Sequence, residues 1–372
     1  MYQDLRLLGG KTMRRIIFAP SRYIQGEKEL QSLSSHITQL GQTAFILIDK
    51  YILEQYETYL FEHLTLDVTI VPFPGECSLN TVQHLIETYF TNQEVVVGIG
   101  GGKTLDTAKV IANQKNTPII VCPTAASTDA PTSALSVIYS DEGVYEEVLY
   151  YKKNPDLVLV DTTLIAKAPS RLLIAGMGDA LATFFEMRSS KRANKTVISG
   201  GKTSQTAYVI AKACYEILIE KGYIAVQSAK RGVLSPELDD VIEANTYMSG
   251  IGFECGGVAV AHGIHDALTV LEDVHQCLHG EKVAFGTICQ LVIENAPKTE
   301  IYEVIEFCRS VGLPTTLAEL GIVEDVDSKI KKVAASCYDR AGLVYNCPFD
   351  VNEDLIYATI LTADEIGKNY KK

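Results

Sequence analysis

The first half of the chain alternates between apolar runs of strand length and segments with helical periodicity. The predicted strands are Arg15–Ala19, Thr43–Ile48, Val68–Val71, Glu94–Ile99 and Pro118–Val121. Glu54–His63 and Leu79–Phe90 are two of the helical segments between them. Strands that are separated by one helix each are typical of a parallel sheet with right-handed crossovers. The sequence therefore predicts an α/β fold for this half.

A hairpin interrupts this alternation at Leu135–Tyr150. Two β-rich runs flank the sequence Ser140–Gly143, whose Ser, Asp and Gly residues are typical of a turn. A short strand at Asp156–Val160 follows the hairpin. We expect the hairpin to be an insertion after the fifth strand and Asp156–Val160 to be the last strand.

The chain from about Ala166 onward has helical periodicity and no strand pattern. The predicted helices include Gln205–Lys221, Pro236–Gly250, Lys282–Asn295 and Ile301–Gly312. We therefore expect an α/β domain over residues 1–165 and an all-helical domain over residues 166–372. Ligands of open α/β sheets bind beyond the carboxyl ends of the strands. The sequence predicts that the chemistry lies between the two halves.

Composition and charge exclude several classes of protein. The 372 residues are 47% hydrophobic and 21% charged, which is ordinary for a globular protein, and no apolar run is long enough to span a membrane. A net charge of −13 argues against nucleic acid and membrane surfaces as partners. The nine cysteines are scattered, with no C-x-x-C spacing. They indicate buried thiols in a reducing compartment, so we expect a cytoplasmic protein.

A glycine-rich loop follows the predicted strand at Glu94–Ile99. Gly100, Gly101 and Gly102 precede Lys103 at the start of a helix. Glycines let a backbone approach a phosphate closely, and the helix N-terminus supplies free N–H donors. The loop matches neither G-x-G-x-x-G, because position 103 is lysine, nor a P-loop, because position 97 is valine. We expect it to bind a phosphate group rather than to be only a tight turn.

Asp49 ends the predicted strand at Thr43–Ile48. In dinucleotide-binding folds an acid at such a position accepts hydrogen bonds from the adenosine ribose. Its charge would repel a 2′-phosphate, so this interpretation favours NAD over NADP. The alternative is that Asp49 only caps the next helix.

A second loop, residues 121–133, follows the strand at Pro118–Val121. It is rich in small residues and hydroxyls and contains one acid, Asp129. Hydroxyls and free N–H groups suit a diphosphate or a ribose, and Asp129 could bind substrate hydroxyls. A loop without any ligand would have a similar composition.

Four of the seven histidines lie within residues 262–279. The segment Gly256–Asp266 is predicted to be a buried helix on which His262 and His265 share one face. His279 begins a second helix, and Asp179 lies in a Gly- and Ala-rich segment where we expect a helix to start. Histidines from two helices that converge with an acid have the geometry of a metal site. The alternative for each of them is a hydrogen-bonded core histidine.

Taken together, these segments resemble the glycerol dehydrogenase family, within the iron-containing (type III) alcohol dehydrogenase superfamily. The matches occur in family order from about residue 15 to 320. The matching segments are 100–109, 123–131, 133–139, 178–183, 242–247, 262–265 and 279–286. One departure is Asp266, which follows His265 where the family often has asparagine.

The resemblance implies a Rossmann-like parallel-sheet domain followed by an all-helical domain that binds zinc. The implied metal ligands are Asp179, His262 and His279, and the implied substrate-binding acid is Asp129. The implied NAD contacts are Asp49, Gly102, Lys103, Thr124, Ser127, Ser133, Leu135 and Tyr139. The family usually forms rings, often octamers, so the resemblance also implies a homo-oligomer.

The resemblance predicts a zinc-dependent enzyme that oxidises glycerol, or a related vicinal diol, to dihydroxyacetone with hydride transfer to NAD. His265 is a candidate proton relay. Oxygen and imidazole ligands also suit Fe²⁺ or Mn²⁺. Two alternatives are an NAD(P)-dependent hydroxycarboxylate dehydrogenase of the same superfamily and a catalytically inactive NAD-binding protein.

Overall fold

The computed structural model describes residues 14–339 and 343–371. They form two compact units. The α/β unit comprises Phe18–Ala168 and Arg231–Leu234. The helical unit comprises Pro169–Lys230, the described residues from Ser235 onward and the described residues up to Ile17.

A six-stranded parallel sheet forms the centre of the α/β unit. Its strands are β1 (Tyr23–Gly26), β2 (Thr43–Ile48), β3 (Asp67–Pro72), β4 (Val95–Gly100), β5 (Ile119–Pro123) and β8 (Leu157–Asp161). Their order in the sheet is β1-β8-β5-β4-β2-β3, and every neighbouring pair is parallel. The helices of this unit are α1 (Leu33–Thr38), α2 (Lys50–Phe61), α3 (Leu79–Tyr89), α4 (Gly102–Lys115) and α5 (Thr162–Ala166). The predicted fold class is confirmed.

The predicted hairpin is present as a separate two-stranded sheet. It consists of β6 (Leu135–Tyr139) and β7 (Tyr145–Tyr150), which are antiparallel. The turn closes with a hydrogen bond from Gly143 N to Ser140 O. Gly143 has φ +83°, a conformation that favours glycine. The glycine that the turn requires is therefore the residue that made the turn predictable from the sequence.

The predicted strand at Arg15–Ala19 is wrong. Arg15 forms only an isolated bridge with Lys202, and Ile17 is 49% exposed. The edge strand is instead β1, whose residues are all half-buried and pair with β8. A short apolar run does not identify its pairing partner, and an edge strand with few apolar residues gives little hydrophobic signal.

The helical unit is built around a long buried helix. This helix is α6 (Ser170–Ala193). The other helices are α7 (Gln205–Arg231), α8 (Pro236–Glu243), α9 (Ser249–Gly256), α10 (Val260–Leu268), α11 (His279–Ile293), α12 (Lys298–Val311), α13 (Val326–Asp339) and α14 (Glu353–Asn369). Helix α6 packs against α11, and α11 packs in turn against α10. No helix of the described residues is both long enough and apolar enough to cross a membrane.

Two predicted helices differ from those observed. The segment predicted as Pro236–Gly250 is α8, then a π-helical turn at Ala244–Met248, then α9. The helix predicted over Gly256–Asp266 begins only at Val260, because Gly257 has φ +95° and Ala259 is not helical. Periodicity alone does not reveal these interruptions.

Candidate functional site

Three helices of the helical unit bring a carboxylate and two imidazoles together. Asp179 lies on α6, His262 on α10 and His279 on α11, and one ligand atom from each lies within 4.8 Å of the others. Asp179 Oδ1 is 3.1 Å from His279 Nε2 and 3.3 Å from His262 Nε2. Ligands that are tetrahedrally arranged about zinc at about 2.1 Å lie about 3.4 Å apart. The two separations from Asp179 match this spacing, and the three side chains form a candidate site for one cation.

Asp179 lies in the middle of α6, not at a helix start as the sequence suggested. Its side chain is only 1% exposed. Burial opposes its negative charge, but the neighbouring imidazoles of His279 and His262 hold the pKa of Asp179 well below its usual range. The carboxylate is thus kept in the ionised form that a cation needs.

Glycines allow the helices that carry the ligands to approach closely. A Cβ on Gly280 would lie 1.7 Å from the Ala175 carbonyl oxygen, and one on Gly178 would lie 2.2 Å from the Gly280 carbonyl oxygen. Each glycine is next to a ligand, Gly178 to Asp179 and Gly280 to His279. The absence of side chains at these two positions therefore sets the spacing between α6 and α11 at the site.

Glu186 supports His262 from the buried side. It is fully buried on α6, and its Oε2 lies 2.6 Å from His262 Nδ1. Because a carboxylate only accepts, Nδ1–H donates to it and Nε2 is left for a cation, the usual arrangement of a metal-binding histidine. Although burial disfavours the protonated ring, the carboxylates of Glu186 and Asp179 raise the pKa of His262, and a cation at Nε2 would take the place of the second proton.

Two buried side chains bind the first amides of α10. Glu186 Oε1 accepts from the backbone N–H groups of Ala259 and His262, at 2.8 and 2.9 Å. Gln290 Oε1 accepts from Val260 N at 2.8 Å and from Ala261 N. Sequence reasoning missed both residues. A signal for Glu186 was its position seven residues after Asp179, which places both acids on one helix face.

His265 lies beside the three ligands but makes a different contact. Its Nδ1 is 2.9 Å from the carboxylate of Asp266, and its ring centroid is 4.2 Å from that of His279. Burial, with the neighbouring His279 adding to it, lowers the pKa of His265 to about 3 despite the opposing Asp266 carboxylate. The neutral ring donates from Nδ1 and keeps Nε2 as an acceptor.

In the α/β unit, the glycine loop borders a cavity of about 720 Å³. Its lining includes Asp49, Gly75, Gly101, Gly102 and Lys103. The residues that follow β2 and β4 lie here, where the strand order reverses and α/β folds bind nucleotides. Gly101 is the N-cap of α4 and has no side chain to bind the first amides of that helix, and a helix N-terminus of this kind favours an anion.

Asp49 caps α2 while it lines this cavity. Its Oδ1 accepts from Tyr51 N at 3.0 Å and from Ile52 N at 3.3 Å. A carboxylate has about four acceptor positions, so the cap leaves capacity for a ligand. The helix-cap alternative is thus observed, and it does not exclude the ribose role.

Lys103, which also lines this cavity, pairs with Glu76 and with an aromatic ring of the hairpin. Its Nζ is 2.6 Å from Glu76 Oε2 and 4.6 Å from the centre of the Tyr139 ring. Sequence reasoning did not identify Glu76. The pair places Tyr139, a predicted cofactor contact, next to Lys103.

The second loop lies beside the glycine loop. Thr124 N donates to Gly100 O at 3.1 Å, and a Cβ on Gly102 would lie 3.9 Å from Thr128 Oγ1. Asp129 precedes a short 3₁₀ turn, Ala130–Thr132, and its side chain does not cap that turn. The remaining predicted contacts of this region are the half-buried Ser127 and Leu135 and the buried Ser133.

Comparisons with known proteins agree with this architecture. Residues 20–162 match the family model described as iron-containing alcohol dehydrogenase. A glycerol dehydrogenase of Escherichia coli O6:H1 is 46% identical, over 96% of this chain and 99% of that protein.

Solved structures extend the likeness to the whole fold. The structure of a probable glycerol dehydrogenase from Sinorhizobium meliloti 1021 has a TM-score of 0.90 at 42% identity, over 96% of this chain and 100% of that one. Glycerol dehydrogenase from Schizosaccharomyces pombe has a TM-score of 0.92 at 36% identity, over 96% of this chain and 92% of that one. The chain therefore belongs to the iron-containing alcohol dehydrogenase family, together with these glycerol dehydrogenases, and is an oxidoreductase.

Proposed function

We propose that this protein is a zinc- and NAD-dependent dehydrogenase that oxidises glycerol to dihydroxyacetone, with hydride transfer to NAD. The observation that carries the proposal is the cluster of Asp179, His262 and His279, one donor atom from each lying within 4.8 Å of the others. Glu186 fixes the ring of His262 within it. The similarity to glycerol dehydrogenases along 96% of the chain supports glycerol as the substrate.

The donor set fits a divalent cation of intermediate softness. Two imidazole nitrogens and one carboxylate oxygen are three protein ligands, the number that a catalytic zinc site uses. Asp179, His262 and His279 would hold the cation, which would supply Lewis-acid assistance to the loss of a proton from a substrate hydroxyl. Fe²⁺ and Mn²⁺ accept the same ligands, and metal analysis of the purified protein distinguishes them from zinc.

The α/β unit is proposed to bind NAD. The first amides of α4 and the glycines 100–102 receive the diphosphate, with Lys103, Thr124 and Ser127 near it. Asp49 accepts from the adenosine ribose, and its charge disfavours a 2′-phosphate. Ser133, Leu135 and Tyr139 are proposed to contact the remainder of the dinucleotide.

Asp129 and His265 are proposed to act on the substrate. The Asp129 carboxylate accepts hydrogen bonds from the outer hydroxyls of a neutral polyol without a charge penalty. His265 holds its proton on Nδ1, toward Asp266, so Nε2 can accept a hydrogen bond from the hydroxyl or from a water that relays its proton. The low pKa of this ring keeps it neutral, so the proton passes on to water rather than staying on the ring.

The rival functions differ in what they require of Asp129 and of the ligand cluster. A hydroxycarboxylate substrate would be repelled by the Asp129 charge. A catalytically inactive NAD-binding protein would have no need for three metal ligands and a buried glutamate that orients one of them. Both features favour the polyol dehydrogenase.

Steady-state kinetics of Asp129→Asn test the proposal. A hydrogen bond to a charged group contributes roughly 1.5–3 kcal/mol, so the glycerol KM should rise about ten- to a hundred-fold while the NAD KM stays nearly unchanged. Asp327→Asn, on the exposed surface, is the matched control and should behave as wild type. An unchanged glycerol KM in a stably folded Asp129→Asn protein would remove Asp129 from the substrate site.

We further propose a cytoplasmic location and a homo-oligomer, an octamer by family resemblance. The nine cysteines are all free in the structure, in keeping with a reducing compartment. Light scattering on the purified protein measures the assembly, and a monomer would contradict it.

A further inference from the structure

Helix α4 carries a buried ion pair that the proposed function does not use. The side chains of Asp106 and Lys109 are 8% and 2% exposed, and Lys109 Nζ lies 2.9 Å from Asp106 Oδ1. Removing two charges from water is costly, and apolar residues of similar size often stabilise a fold equally well. The pair therefore needs a reason other than stability.

Lys109 uses its ammonium group to hold the second loop. Its Nζ donates to the carbonyl oxygens of Ala130 and Leu135, both at 2.8 Å, and lies 3.3 Å from Ser133 Oγ. An ammonium group has three N–H donors. The carbonyls of Ala130 and Leu135 take two of them and Ser133 lies within reach of the third, so this one group ties both ends of the turn to α4.

Asp106 holds the strand that follows. Its Oδ2 accepts from Val137 N at 3.0 Å, and its backbone carbonyl accepts from Ser136 Oγ at 3.0 Å. Asp106 and Lys109 together thus bind backbone or side-chain atoms of the loop and of β6 over residues 130–137. These bonds join α4, which follows the glycine loop, to the second loop and β6. Residues of both regions are proposed to contact NAD or the polyol.

We propose that Asp106 and Lys109 are positioning residues that set where Asp129 stands relative to the glycine loop. Asp129 directly precedes Ala130, whose carbonyl Lys109 binds, and α4 begins at Gly102, one turn before Asp106. Because a helix is rigid over one or two turns, the ion pair fixes the second loop to the glycine loop. This inference rests on the proposed role of Asp129 in polyol binding.

The test is the double variant Asp106→Asn/Lys109→Met. Both charges are removed, so neither is left buried without a partner, and the asparagine oxygen still accepts from Val137 N. The glycerol kcat/KM should fall on the order of tenfold to 100-fold, the effect of a small misplacement of a binding group. The dissociation constant for NAD should change less than threefold. Lys115→Met, exposed on the same helix, is the control and should match wild type.

Hydrogen–deuterium exchange supplies a measurement that does not depend on turnover. Amides of residues 129–137 should exchange faster in the double variant and at the wild-type rate in Lys115→Met. A folded double variant with wild-type exchange in this segment and unchanged glycerol kcat/KM would overturn the proposal, even if its melting temperature fell. If the wild-type protein failed to oxidise glycerol, the proposed function would fall, while the exchange result would still decide whether the pair holds the loop.

Discussion

At the scale of single residues, the proposed metal site depends on an acid that is not one of the three proposed ligands. His262 presents Nε2 toward Asp179 because its Nδ1 donates to Glu186. The same glutamate binds the amide of His262 through its other oxygen. One buried side chain therefore fixes both the tautomer of the ring and the backbone that carries it.

Glu186→Gln should weaken zinc binding about 10- to 100-fold, the usual effect of losing such a support. Glutamine has one oxygen, so it cannot accept from both the α10 amides and Nδ1–H in the observed arrangement. Competition with a chromophoric chelator measures the affinity, with the exposed Glu216→Gln as control. A folded Glu186→Gln protein with wild-type zinc affinity would show that Glu186 does not orient His262.

Asp49→Asn should narrow the preference for NAD over NADP by about tenfold, which corresponds to ~1.4 kcal/mol. Asparagine still caps α2, so stability should hold while the charge that repels a 2′-phosphate is removed. Asp67→Asn is the control. Asp67 begins β3, so it lies at the amino-terminal ends of the parallel strands, whereas Asp49 follows the carboxyl end of β2. Equal use of NADP by the wild-type protein would contradict the role of Asp49.

Individual residues were predictable where their chemistry is unusual for their surroundings. His262 and His265 stand on an apolar, small-residue helix and His279 begins the next helix, so the histidines were visible as a cluster, and Asp179 stands among glycine and alanine. Glu186 and Gln290 gave no comparable signal. Their role comes from contacts with α10, which only the folded chain reveals.

At the scale of elements, the distance between α6 and α11 determines whether the proposed metal ligands Asp179 and His279 come together. Gly280→Ala should move these helices apart, because its Cβ would lie 1.7 Å from the carbonyl of Ala175. Overpacking of this kind typically costs about 1–3 kcal/mol in the free energy of unfolding, and zinc affinity should fall with it. Chemical denaturation and zinc titration measure both effects. A variant with wild-type zinc affinity would contradict the role of this close approach.

Elements were predictable where hydrophobic periodicity is strong. Strands β2, β4 and β5 are almost wholly buried, so their apolar runs were clear. The edge strand β1 was missed because its pattern is weak, and Arg15–Ala19 was mistaken for a strand. The break before α10 was also missed, because Gly257 acts through its backbone conformation, which periodicity does not report.

At the scale of the whole molecule, the proposed cofactor site and the proposed metal site lie in different units. The α/β unit supplies a glycine loop and an acid at adjacent strand ends, and the helical unit supplies three proposed metal ligands from three helices. The alternation of strands and helices predicted the α/β unit, and the spacing of the histidines predicted the cluster in the helical unit. The sequence could not show that Glu186 holds His262, or what the buried Asp106–Lys109 pair on α4 binds, since both arise from tertiary contacts.

The most direct test of the account is metal-dependent reduction of NAD by glycerol. The purified protein is stripped with a chelator and titrated with Zn²⁺ while NADH formation is followed, with His262→Ala treated in parallel. We expect activity to vanish with the metal and to return in proportion to zinc, saturating near one ion per chain, with no return in His262→Ala. Full turnover in the stripped protein, or a His262→Ala protein with full metal content and normal turnover, would contradict the assignment.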